Sequence, residues 1–224
     1  MRDDVPALVR VIAAMDADVL CVQEAPRALW CGRRRRELAE LTGTRVAAGC
    51  GLAGLAVYVK PTVKVVHAEA HLLRVFFPRE VRGLATAVVE LEGLRLAAGS
   101  IHLDLVPAHR LYHATEIVAL LERVAARFAA IPVLAGDLNE RDHEPTWRYL
   151  AARLADCYAR APLGDAPTFP ARNPTARIDA VFAGAGLEVD SCGVVPAPRA
   201  DLAAASDHLP VVARLRRAAV APEP

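Results

Sequence analysis

The sequence predicts an α+β fold in which two β-sheets pack face to face with helices outside. Three observations lead there. Strand-like apolar runs follow one another from Leu55 to Leu103 without an intervening helix, so simple βαβ alternation fails. Helical patterns stand before and after these runs, which suits helices on the outer faces of two packed sheets. The 224 residues contain no internal repeat and no long linker, so one domain over residues 1–217 is expected, followed by a loose tail over 218–224.

Each element has a local reason. Asp3 and Asp4 precede Val5–Met15, whose apolar residues recur at helical spacing, as in a capped helix. DVLCVQE (Asp18–Glu24) reads as a strand ending in a carboxylate; it is apolar on both faces and therefore expected at the centre of its sheet. Ala28–Leu41 is a second helical pattern. Strands are expected at LAVYVK, VKVVHAEA, LATAVVEL and LRLAAGSIHL, the last two joined by a tight turn at Glu92–Gly93. Pro107–Ala129 is a long amphipathic helix with proline in its first turn. IPVLAG is a buried strand and Pro145–Ala155 a short helix. The segment DCYAR and the Pro-rich loop DAPTFPARNPTAR lead to the strand RIDAVFAG, and LEVDSCGVV and PVVARLR close the fold.

Composition narrows the function classes. A formal charge of +1 gives no global attraction to nucleic acid or an anionic membrane. The five cysteines (Cys21, Cys31, Cys50, Cys157, Cys192) have no CxxC spacing, so neither a disulfide framework nor a zinc site is expected, as suits the cytoplasm. No apolar run approaches 18 residues, and MRDDVPALV is not a signal peptide. The run Arg33–Arg36 spreads around its helix, with Glu37 four residues after Arg33, and reads as a solvated face. His109 and His113 have the spacing of a zinc pair but no third ligand nearby, so an exposed helix face is expected there.

The informative residues are polar ones that interrupt apolar strands. Glu24 ends DVLCVQE. His102 and Asp104 end LAAGSIHLD, and Asp137 and Asn139 end IPVLAGDLN. Asp179 lies within RIDAVFAG, and Asp207 and His208 stand just before PVVARL. Charged groups are rarely buried unless paired or metal-bound, and these elements must share one core. The set suits metal-assisted attack on a phosphate ester. Glu24 is a hard oxygen ligand of the kind Mg²⁺ or Mn²⁺ prefers. Asp137 can take a proton from the attacking water, and Asn139, on the same side of an extended chain, can hold that water or a phosphate oxygen. An Asp179–His208 pair would keep the histidine cationic for a phosphoryl oxygen. Arg177 is a candidate phosphate contact or, equally, a structural salt bridge.

VLCVQE, SIHLD, GDLN, PTFP…RIDAVF and SDHLPVVA occur in the order of the endonuclease/exonuclease/phosphatase superfamily, which this chain resembles from about Val5 to Leu215. The resemblance implies a four-layer αββα sandwich with the active site at one end of the sheets. It implies a divalent-metal-dependent phosphoesterase, acting as a monomer on a phosphate ester such as a nucleic acid, a phospholipid headgroup or a small phosphodiester. By motif, Glu24 resembles the metal ligand and Asp207 a further metal or water contact. His102 resembles a phosphate-contacting histidine, Asp137 and Asn139 the water-activating and orienting pair, and Asp179 the acid that pairs with His208. The chain departs from the pattern at its start. Family members open with a strand carrying an Asn (a run like TWNI or TYNV), whereas this sequence opens at MRDD. Two expectations follow: that the natural polypeptide begins upstream of Met1 with a short apolar strand ending in Asn, or that the chain is a non-catalytic binding protein on the same scaffold.

Overall fold

A computed structural model describes residues 4–27, 31–78 and 80–219. The expected cap at Asp3, the helix start at Ala28 and the end of the tail lie outside the described residues. In chain order the elements are α1 (Val5–Met15), β1 (Val19–Val22), α2 (Cys31–Leu41), β2 (Arg45–Cys50), β3 (Leu55–Val59) and β4 (Lys64–Leu72). Next come β5 (Gly83–Leu91), β6 (Leu94–His102), α3 (Pro107–Arg127), β7 (Ile131–Asp137), α4 (Pro145–Ala151) and β8 (Ala155–Asp156). The last are α5 (Cys157–Arg160), β9 (Pro162–Leu163), β10 (Asp179–Ala183), β11 (Leu187–Val194), α6 (Arg199–Ala205) and β12 (Val211–Arg217).

A six-stranded mixed sheet in the order β4-β5-β6-β7-β10-β8 forms the spine. Its two faces follow from strand periodicity. Leu84, Val88, Ile101, Leu134 and Phe182 point to one side and pack on α3 and α4 through Ile117, Leu121, Trp147 and Leu150. Ala85, Ala87 and Val89 point the other way, onto Leu55, Val57 and Val59 of β3. That second face is covered by two small sheets, β1-β3-β2 and β12-β11-β9. The latter packs on β10 through Val181 and Ala183 against Cys192, Val211 and Ala213. Helices α1, α2 and α6 lie outside them, with Val11 against Leu202 and with Ile12 and Leu38 beside Leu20 and Tyr58. The result is the four-layer αββα sandwich.

Local chemistry explains the joints. The Asp4 side chain accepts the Ala7 amide at 3.1 Å and caps α1. Glu92 and Gly93 both have positive φ, 48° and 76°, as a two-residue hairpin turn between β5 and β6 requires.

Several expectations need correction. Among the described residues β1 is an edge strand, bonded only to β3, because apolar character on both faces reports burial and not the number of paired neighbours. The second sheet is in two pieces. β2 and α6 went unrecognised since Ala, Gly and Cys carry little periodic contrast. Helix α4 stops at Ala151, not Ala155. Arg33 pairs with Glu37 at 2.9 Å as a solvated face should, but Arg35 is buried and donates to the Cys50 carbonyl. His113 is buried too, its Nε2 2.9 Å from the Arg74 carbonyl oxygen, because the β4–β5 loop folds over α3 and stacks Phe76 on His109.

Candidate active site

Strand pairing puts three of the expected residues in one row. His102 stands opposite Asp137 in the parallel β6–β7 ladder, and Asp137 opposite Asp179 in the antiparallel β7–β10 ladder. Paired strands lie about 4.8 Å apart, so an imidazole and two carboxylates line the same sheet end. His208 reaches them from the turn before β12, with Nδ1 2.9 Å from Asp179 Oδ2. One ligand atom from each of Asp137, Asp179 and His208 falls within 4.8 Å of the others.

The backbone beneath this row is tight. At Gly136, φ is +151° and an added Cβ would lie 2.0 Å from the Ile101 carbonyl oxygen. Glycine therefore lets β7 approach β6 and bring Asp137 beside His102. On the other side, buried Thr168 ties the Pro-rich loop to Asp179 and to Leu209, the residue after His208. Its hydroxyl accepts the Asp179 amide at 3.4 Å and its carbonyl accepts the Leu209 amide at 2.8 Å. Behind the row, Gln23 Nε2 donates to Ser100 Oγ, which donates to the Val22 carbonyl, stitching β1 to β6.

The charges differ sharply over a few ångströms. Burial, and then the negative charge of Asp179, push Asp137 up to about 7, against the Asn139 amide and the positive charges of His208 and Arg82. Burial works against a charge on His208, but the hydrogen bond and charge of Asp179, helped by Asp137 and Asp207, raise it to about 9. His102 is the opposite case: burial and the nearby cations Arg82, Arg27 and His208 push it down to about 3, so its ring is neutral. Its Nε2 lies 3.3 Å from Asp137 Oδ2, and its buried Nδ1 has no partner among the described residues.

Other expected residues sit differently. Strand β7 ends at Asp137, and Asn139 has φ +52°, so the two do not share a face of extended chain as expected. A turn joins them: Asp137 Oδ1 accepts the Asn139 amide at 2.7 Å, and Asn139 Nδ2 donates to the Leu103 carbonyl at 3.0 Å. Glu24 is exposed after β1 with φ +53° and makes no hydrogen bond or ion pair among the described residues. Asp207 is also exposed; its backbone carbonyl accepts the Ala171 amide. Neither belongs to the group of atoms within 4.8 Å. Arg177 spends its donors on Asp156, at 2.7 and 3.2 Å, and on Asp142, and it lies over the Trp147 ring. Of its two readings, the salt bridge is the one the geometry carries. Asp104 is likewise structural, accepting the Val106 amide where α3 begins.

Two residues that the sequence did not single out belong here. Thr168 lies in the quoted stretch PTFP, and that motif was the available signal. Arg82 is buried, close enough for its charge to act on His102, Asp104 and Asp137, and its Nε has no partner among the described residues. Nothing in its spacing marked it.

Comparison with known proteins agrees with this architecture. The family model described as "Endonuclease/Exonuclease/phosphatase family" matches residues 2–208. No curated protein matches. Among similar solved structures is a mannosyl-6-phosphatase of Bacteroides thetaiotaomicron, with a TM-score of 0.80, 16% identity, and 95% of this chain and 90% of that chain covered. The human Nocturnin catalytic domain with bound sulfate gives 0.73 and 15%, covering 95% and 86%. An endonuclease/exonuclease/phosphatase from Beutenbergia cavernae gives 0.71 and 26%, covering 96% of this chain and 66% of that one.

Proposed function

The chain belongs to the endonuclease/exonuclease/phosphatase family, and from that premise we propose that it is a divalent-metal-dependent phosphoesterase that hydrolyses a phosphodiester or phosphomonoester. The observation that carries this reading is the carboxylate pair Asp137–Asp179, directly opposed across two strands and closed by His208.

The donor set fits a hard cation. Burial, and then the opposed charge of Asp179, raise the cost of ionising Asp137, and a divalent ion offsets that cost. Glu24 and Asp207, with the carboxylates of the row, would hold Mg²⁺ or Mn²⁺. When bound, such an ion polarises a phosphoryl oxygen.

The chain's own groups supply the rest. Asp137, at about 7, is matched to accept a proton from water near neutral pH. Asn139 commits one N–H to Leu103, which fixes its amide and leaves its other amide atoms to orient that water or a phosphate oxygen. His208 bonds Asp179 through Nδ1, so it presents a cationic Nε2–H to a phosphoryl oxygen. Neutral His102 is a second, uncharged contact. The loops over 71–83 and 165–177 flank the row and set the choice among phosphate esters, nucleic acid included.

Release of p-nitrophenol from bis-p-nitrophenyl phosphate and from p-nitrophenyl phosphate tests the reading. Turnover should require Mg²⁺ or Mn²⁺ and stop in EDTA. Full turnover in chelator would overturn the metal mechanism. No turnover of either ester with either ion would favour a non-catalytic binding protein, the reading to which the unengaged, exposed Glu24 lends weight.

A further inference from the structure

One part of the surface gathers most of the large apolar side chains left in water. Ten such residues are exposed among those described, and six of them come from two short segments. Leu72, Val75 and Phe77 lie at the end of β4 and in the loop after it; Leu105, Leu111 and Tyr112 lie at the entry to α3 and in its first turns. Phe77 is 94% exposed and Leu105 72%.

The two segments are fastened to each other. Phe76 stacks on His109 with ring centroids 3.9 Å apart and meets Tyr112 edge-on at 5.6 Å. The Arg74 amide donates to Glu116 Oε2 at 3.1 Å, and the Arg74 carbonyl lies 2.9 Å from His113 Nε2. Leu73 is buried in the core that includes α3. Leu73 and Phe76 thus take the inward positions, and Val75 and Phe77 are held outside. Apolar side chains grouped in this way mark an interaction surface.

Shape and charge say what covers it. A ring 94% exposed stands proud of the surface. A folded protein partner would need a matching pocket for it, whereas a fluid hydrocarbon layer accepts a protruding ring as it is. At the edge of the group the Arg74 guanidinium carbon is 5.9 Å from both the Phe76 and the Tyr112 ring, and it pairs with no acid among the described residues. Arginine and tyrosine bordering aliphatic side chains suit a membrane–water boundary, where polar ends stay among phosphates and apolar bodies sink below them. Nucleic acid fits less well. Leu72, Val75, Leu105 and Leu111 have no ring to stack on a base, and one unengaged arginine gives little hold on a phosphate backbone.

We propose that this face docks the protein on a phospholipid bilayer, with Val75, Phe77 and Leu105 entering the acyl layer and Arg74 and Tyr112 at the headgroup phosphates. The face adjoins the catalytic row. The loop returns through Glu80, which pairs with Arg27 and Arg82, and the charge of Arg82 acts on His102 and Asp137. Leu105 stands three residues after His102. Docking therefore holds the row close to the headgroup layer. It needs neither a bound cation nor turnover.

Sedimentation with vesicles of phosphatidylcholine and phosphatidylserine, in EDTA and without substrate, tests this. Binding should saturate with lipid and persist in about 0.5 M NaCl, because buried apolar area carries it. Phe77→Ser and Leu105→Ser should each weaken partitioning by about tenfold, and the double variant by about 100-fold. Melting temperatures should not move, since both side chains are exposed. Leu41→Ser, exposed at the end of α2, should partition as the parent does. In Phe77→Trp, vesicles should shift the indole emission to the blue. No binding, or binding that salt abolishes and Phe77→Ser spares, would overturn the proposal. So would Phe77-dependent binding of single-stranded DNA, or a Phe77-dependent dimer mass, in place of vesicle binding; the face would then belong to nucleic acid or to a second copy. Vesicle binding without phosphoesterase turnover would uphold the docking and count against the enzymatic reading alone.

Discussion

A histidine whose ring is held by a half-buried carboxylate keeps one tautomer and one charge, and His208 is in that position beside Asp179. The pair should act as a unit. Asp179→Ala or His208→Ala should each lower kcat by about 100-fold, the scale of electrostatic stabilisation at a transition state. The double variant should lose little beyond the worse single one. Strictly multiplicative losses in steady-state kinetics would show that the two side chains work separately. This pair was legible because a carboxylate inside RIDAVFAG and a histidine before PVVARL both interrupt apolar strands that must share a core. Asn139 was legible by type but not by conformation, since nothing in GDLN says that the strand ends one residue after the glycine. Arg82 was not legible as a site residue, and Thr168 only as part of the stretch PTFP. Their roles come from burial beside groups distant in sequence, which one-dimensional spacing does not carry.

Elements place these side chains, and β7 does so through Gly136. Its Cβ-free backbone is what allows the parallel approach to β6 at Ile101. Gly136→Ala should therefore destabilise the fold by a few kcal/mol, on the order of a strained backbone plus a displaced neighbour. Activity should fall further than stability does, as Asp137 moves away from His102 and Asp179. Urea unfolding midpoints alongside kcat would read both, and a variant with unchanged midpoint and rate would show the ladder to be looser than the 2.0 Å approach implies. Long periodic elements such as α3 and the β5–β6 hairpin were readable from the sequence because burial on one face imposes a period. β2 and α6 were not, because small residues satisfy either period. Nor was the edge position of β1, since a strand's apolar content is the same whether one neighbour or two bond to it.

At the scale of the whole molecule, the site works against the fold that carries it. Asp137 sits at about 7 in the folded chain against an ordinary 3.8, and His208 at about 9 against 6.5. Both values are raised, so these two groups bind more protons folded than unfolded; His102, pushed down from 6.5 to about 3, opposes Asp137 below 6.5, and the net fall in stability from the three lies between 6.5 and about 9. Asp137's contribution is complete below 3.8 and lost through about 7; that of His208 is complete below 6.5 and lost through about 9. In chelator the protein should thus melt at a lower temperature at pH 9 than at pH 5. Asp137→Asn should leave His102 unopposed, so that stability then rises with pH up to about 6.5. A divalent ion bound only by the folded state should reverse the loss, because it stabilises in proportion to the logarithm of its saturation and favours the ionised carboxylates. Millimolar Mg²⁺ or Mn²⁺ should then raise the melting temperature by several degrees at pH 8 and by much less at pH 5. Equal shifts at the two pH values would place the ion away from Asp137. No shift with either ion at either pH would leave the opposed carboxylates without their cation, and with them the metal-dependent mechanism.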